Sequence, residues 1–210
     1  MSPAMRRALL WAPVLVVVTT AIAFAVLPTT LGRRTGTLAA FLFYWIVWGA
    51  LFPLFVLKPH GLRLIFRWRW AEAPSLNLLL LLPPLAPALL GVPPWLPRAS
   101  VPVVGASAVI ALANGVFEEV LWRGTYLAAF PGSALLGIVY PALGFALWHI
   151  SPQLTRPGHD AATVFWSVSG WLLLGLIWGA VAWRTRSIVG TVLSHMVTGF
   201  FGFGVLAYLR

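Results

Sequence analysis

Cysteine is absent from the chain, which excludes disulfide frameworks and thiolate metal centres. Charge is scarce as well: 9% of the 210 residues are charged, against about 25% in a soluble domain. A surface so poor in charge faces something other than water, and hydrocarbon is the candidate. Acidic residues are scarcest, four against fourteen Lys and Arg, for a net charge of +10. Such a balance can mark a nucleic-acid binder, but here the basic residues stand in ones and twos between apolar runs. They form no polar face, so nucleic acid is excluded as a partner. Basic residues in that position bound membrane spans. Arg outnumbers Lys thirteen to one, the composition of a GC-rich bacterial genome.

Apolar residues are abundant, at 60%, and they recur in runs of about 20. In lipid each backbone polar group needs an internal partner, and helices supply it. The expected fold is therefore all-α, a polytopic transmembrane helical bundle of about seven spans. The runs are Ala8 to Leu27, Thr37 to Leu57, Leu76 to Leu96, Val101 to Phe130, Ser133 to Ile150, Ala161 to Trp183 and Ser187 to Leu209. The first is longer than the apolar core of a signal peptide, so it reads as a retained span. The third holds five prolines and is expected to be kinked or partial. Between Lys58 and Pro74, Arg63, Arg67 and Arg69 alternate with Phe66, Trp68 and Trp70, which suits an interfacial segment or a cytoplasmic loop. With the N-terminus cytoplasmic, eight basic residues fall inside and five outside, a multi-pass cell-membrane topology with the C-terminus out.

Two of the four acidic residues, Glu118 and Glu119, lie within an apolar run. A charge at mid-membrane costs at least ~2.5–3.5 kcal/mol, so it persists when paired, functional or both. Glu119 and Arg123 are one helical turn apart in the favoured acid-first order, which by itself is explained by a structural ion pair. Glu118 points about 100° away and has no such partner on its own helix. His149 and His195 also lie in spans. Counted from the turn at Pro131 at about 1.5 Å per residue, Glu118 sits about 20 Å deep, His149 about 27 Å and His195 about 12 Å. His60 and His159 fall in loops and carry no assigned role.

A carboxylate with two imidazoles permits two chemistries. Glu118 can act as general base on water, with His149 assisting and His195 donating to the oxyanion. Otherwise Glu118, His149 and His195 can hold zinc and leave a fourth position for water. Both hydrolyse a carbonyl compound, and a peptide bond in a membrane-associated protein or peptide is the expected substrate within the lipid bilayer. The metal-free version is preferred.

The order of these residues resembles a known family. Phe117-Glu118-Glu119-Val120-Leu121-Trp122-Arg123-Gly124 is similar to the E-E-x-x-x-R-G motif of the CAAX protease and bacteriocin-processing (CPBP) family. Phe145 to His149 matches its F-x-x-x-H motif, and His195 falls at the histidine of its third. The resemblance covers about residues 101–210 and implies a four-span catalytic core preceded by N-terminal membrane helices over residues 1–100. It implies an intramembrane endopeptidase, often described as a metalloprotease, with Glu118, His149 and His195 catalytic and Glu119 and Arg123 supporting. One position departs: Gly199 stands where the family usually has Asn or Asp four residues after the histidine. That departure makes a non-proteolytic scaffold or regulator the second reading. A proton-coupled transporter is the third, and the lack of an internal repeat or polar path counts against it. If the enzyme is active, Asn114, one turn before Glu118, is the candidate to supply the missing donor. Its plainer role is a hydrogen bond to a neighbouring helix.

Overall fold

The computed structural model describes residues 3–69, 74–90, 99–154 and 160–204. Among these residues there is no strand, and seven helices account for the fold. We label them α1 (Pro3–Leu31), α2 (Arg33–Ile65), α3 (Pro74–Leu89), α4 (Val101–Ala129), α5 (Leu135–Gln153), α6 (Ala161–Thr185) and α7 (Val189–Gly202). All but α3 and α7 are long and apolar enough to cross a bilayer, so this is a multi-pass membrane protein. Large apolar side chains on the outer faces, such as Ile22, Val109 and Trp166, are exposed, as a lipid-facing surface requires.

Proline shapes these helices in ways the sequence foreshadows. In α3 a short helix, Pro74–Leu78, passes through a 3₁₀ turn, Leu79–Leu81, before Leu82–Leu90 resumes. Pro83 and Pro84 thus fall in a first turn, where their missing N–H groups are not needed. In α1, Pro13 deprives the Leu9 carbonyl of its usual donor four residues on, and the Tyr126 hydroxyl donates to that carbonyl at 2.8 Å instead. Tyr140 donates to the next carbonyl, Leu10. These two bonds tie α1 to α4 and α5.

The basic stretch after Lys58 is not simply a loop. α2 continues to Ile65 across a kink at Lys58 (φ 57°, ψ 169°), because Pro59 disfavours helical geometry in the residue before it. The Ile65 carbonyl accepts from Ile188 N–H at 2.9 Å, which fastens the end of α2 to the connection between α6 and α7. Beyond it Arg67, Trp68 and Arg69 are exposed, as an interfacial segment would be. Trp70 and Glu72, like Arg98, Arg156, His159 and Arg210, lie outside the described residues.

Close approach depends on small residues, the usual device where lipid removes the hydrophobic drive between helices. At Gly36 a Cβ would lie 2.2 Å from the Leu27 carbonyl oxygen, so only glycine lets α2 return against α1. α7 runs antiparallel along α4, with Gly115 against Met196 and Gly199 against Ala111. α4 itself widens into a π-helical turn, Val120–Gly124, directly after the two glutamates. The Thr125 hydroxyl donates to the Val120 carbonyl at 2.8 Å and seals that turn. Helices from both halves share one core, which includes Leu9, Phe24, Tyr44, Trp122, Phe145 and Trp178.

Candidate active site

The three motifs meet around the ring of Phe145. The Arg123 guanidinium lies 4.1 Å from its centroid, the His149 ring 4.6 Å and the His195 ring 5.9 Å. Depth counted along straight helices puts Glu118 and His195 on either side of mid-membrane, a gap that long side chains can close. In the structure His195 Nε2 is 3.3 Å from Glu118 Oε2, because α7 lies close on α4 at Gly115. Glu118 and Glu119 are completely buried, and Arg123, His149 and His195 nearly so.

Glu119 is the fixed carboxylate. Its Oε1 lies 3.0 Å from Arg123 and accepts from His195 Nδ1 at 2.9 Å, while Thr191 of α7 also faces it. The expected i,i+4 pair is therefore present. The π-helical turn adds a residue to the spacing, so Arg123 acts on Glu118 as well, which a regular helix would have turned away. With Nδ1–H given to Glu119, His195 Nε2 faces Glu118 Oε2 at 3.3 Å as a second acceptor, so a proton that arrives at Glu118 can be shared with the ring. His195 is stacked on Trp178 at 4.3 Å and 12°. The Trp178 N–H donates to Ser194 at 2.9 Å, and Ser194 donates to the Leu80 carbonyl at 2.6 Å. This chain reaches back to α3 and holds the aromatic plate in place.

Glu118 differs sharply from its neighbour. Neither of its oxygens has a hydrogen-bond partner among the described residues. The groups that face it are Arg123, the Tyr44 hydroxyl and the Asn114 amide. A buried carboxylate left this free is expensive as structure and suited to taking a proton.

His149 closes the other side. Its Nδ1 donates to the Phe145 carbonyl at 2.7 Å, since a carbonyl can only accept, and Nε2 is left as the lone-pair nitrogen of the neutral ring. The ring is stacked on Trp171 of α6 at 4.0 Å and 17°. Zinc would need Glu118, His149 and His195 to converge. Among the described residues no group of three or more His, Cys, Asp or Glu side chains stands close enough to hold a metal ion. The donor set as placed does not fit zinc.

Asn114 takes the plainer of the two roles foreseen for it. Its Oδ1 accepts from the Trp45 N–H of α2 at 3.0 Å, a bond to a neighbouring helix, while the amide also faces Glu118. Tyr44, Trp45, Trp171, Trp178 and Thr191 carry no motif, and reading the sequence did not single them out. The signal that could have found Tyr44 is a buried hydroxyl in an otherwise apolar span, but one sequence does not show which span faces it.

Residues 100–201 match the family model described as type II CAAX prenyl endopeptidase Rce1-like. The match spans all three motifs and agrees with the CPBP resemblance over the same half of the chain. At the level of the family this supports an intramembrane CAAX-type protease. No curated protein and no solved structure gives a match.

Proposed function

We propose that this chain, Rce1-like over residues 100–201, is an intramembrane endopeptidase that hydrolyses a peptide bond of a membrane-associated protein or peptide. The observation that carries the reading is Glu118, a wholly buried carboxylate whose oxygens accept no hydrogen bond among the described residues, 3.3 Å from a His195 ring held by Glu119. Glu118 takes a proton from water as the water oxygen attacks the scissile carbonyl carbon. His149 offers its Nε2 lone pair to orient that water. His195, held between two carboxylates, keeps the proton beside Glu118 until the leaving amine takes it. Glu119 and Arg123 act through His195 and the local field rather than on the substrate. The protein sits in the cell membrane with its N-terminus cytoplasmic.

The test uses purified protein in detergent and a fluorogenic peptide with a prenylated cysteine four residues from its C-terminus, the substrate that the family's description implies. Glu118→Gln keeps the shape and removes the base, so turnover should be abolished while folding stays near normal. Wild-type turnover in Glu118→Gln would refute the assignment. The second reading, a scaffold without hydrolysis, rests on Gly199. It predicts no Glu118-dependent release of peptides from membranes, and it tolerates loss of Glu118, His149 or His195 singly.

A further inference from the structure

His195 is the residue that sequence reasoning assigns to the oxyanion, yet its Nδ1–H is given to Glu119 at 2.9 Å and its Nε2 is turned to Glu118 at 3.3 Å. Gly199 supplies no amide. Hydrolysis still needs a donor, since loss of one typically lowers kcat about 10²–10³-fold.

Two polar groups face Glu118 and are fixed as donors by the same device. The Trp122 indole N–H donates to Tyr44 Oη at 2.9 Å, and the Trp45 N–H donates to Asn114 Oδ1 at 3.0 Å. An indole N–H can only donate. It therefore turns the phenol proton of Tyr44 away from itself, and it leaves the amide NH₂ of Asn114 for another acceptor. Both side chains face the Glu118 carboxylate, where the reacting water and carbonyl must lie. Tyr44 is fully buried and stacked on Trp148 at 3.9 Å, so its hydroxyl is rigidly placed. One helix, α2, thus contributes the first donor and the tether of the second. Both of its residues lie outside the region that matches the family.

We propose that the Tyr44 hydroxyl and the Asn114 amide together form the oxyanion hole of this chain, each held in donor orientation by an indole N–H behind it. The inference rests on the endopeptidase reading. Water adds to the carbonyl carbon as Glu118 takes its proton, and the carbonyl π pair moves to oxygen, where Tyr44 O–H and Asn114 N–H stabilise the anion. The C–N bond then breaks, the nitrogen receives the proton from Glu118, and a carboxyl and an amine leave.

Tyr44→Phe, Asn114→Ala, Trp45→Phe and Glu118→Gln should be compared for hydrolysis of the prenylated peptide. They should also be compared for binding of a phosphinate analogue of the tetrahedral intermediate. Tyr44→Phe and Asn114→Ala are each expected to lower kcat about 10²–10³-fold with KM near wild type. Affinity for the phosphinate should fall with kcat while affinity for an uncleavable peptide holds, which loss of packing would not produce. Trp45→Phe keeps an aromatic ring and should also lower kcat, but it should add nothing once Asn114 is Ala. Gly199→Asn should restore part of the Asn114→Ala loss, because a Cβ at 199 would sit in ordinary contact, 3.7 Å from Ala111 Cβ. Near-wild-type kcat in Tyr44→Phe and Asn114→Ala beside an inactive Glu118→Gln overturns the oxyanion hole and leaves the endopeptidase standing. An active Glu118→Gln overturns both. Should Tyr44→Phe fail to fold, the Trp45 and Asn114 cycle decides: additive losses refute the proposal.

Discussion

Replacing Arg123 by Met tests the electrostatic account of the site, because it removes one charge and keeps most of the side-chain volume. Arg123 is 2% exposed, 3.0 Å from Glu119 and packed over Phe145 at 4.1 Å and Trp178 at 5.2 Å. Met retains the apolar contacts, so the charge is what the substitution reports. At that separation and an effective dielectric of about 20, Coulomb attraction is about 5–6 kcal/mol. Measured losses on breaking a buried pair from one side are about 3–5 kcal/mol, because the partner is left buried and uncompensated. Arg123→Met should therefore destabilise the protein by about 3–5 kcal/mol. The double variant Arg123→Met with Glu119→Gln removes the stranded charge, and Gln still offers an oxygen to His195 Nδ1. It should recover most of the loss, as replaced ion pairs commonly do. Equilibrium unfolding in mixed detergent, followed by tryptophan fluorescence, measures both. A single variant within about 1 kcal/mol of wild type, or a double as unstable as the single, would refute the reasoning.

Tyr126→Phe should cost about 1–3 kcal/mol in the same assay, since it leaves the Leu9 carbonyl opposite Pro13 without a donor; no change would show that carbonyl to be satisfied otherwise. A reporter fused after Arg210 should read extracytoplasmic, and one placed within residues 63–72 cytoplasmic. The same side for both would mean that one of the two short helices, α3 or α7, does not cross. Chelation of purified protein should leave hydrolysis intact, in keeping with the metal-free chemistry preferred here. Loss of activity restored by added zinc would instead make Glu118 a ligand.

The sequence alone determined the class of fold and the identity of the charged residues, for reasons local to the chain. Apolar runs matched to bilayer thickness specify membrane helices whatever their neighbours. The i,i+4 spacing of Glu119 and Arg123 guarantees their meeting on one helix, as observed at 3.0 Å. The prolines of α3 announced its broken course. What the sequence could not determine depends on contacts between helices. Straight-helix geometry turned Glu118 away from Arg123, and the π-helical turn at Val120–Gly124 altered that register. Depth along separate spans put His195 and Glu118 near the same level, but only the close packing of α7 on α4 at Gly115 sets their contact. Only tertiary structure delivers Tyr44 and Trp45, from a helix some seventy residues earlier, to the side of Glu118 and Asn114. A motif records spacing along one chain segment, whereas the direction of a hydrogen bond across helices depends on how whole helices pack.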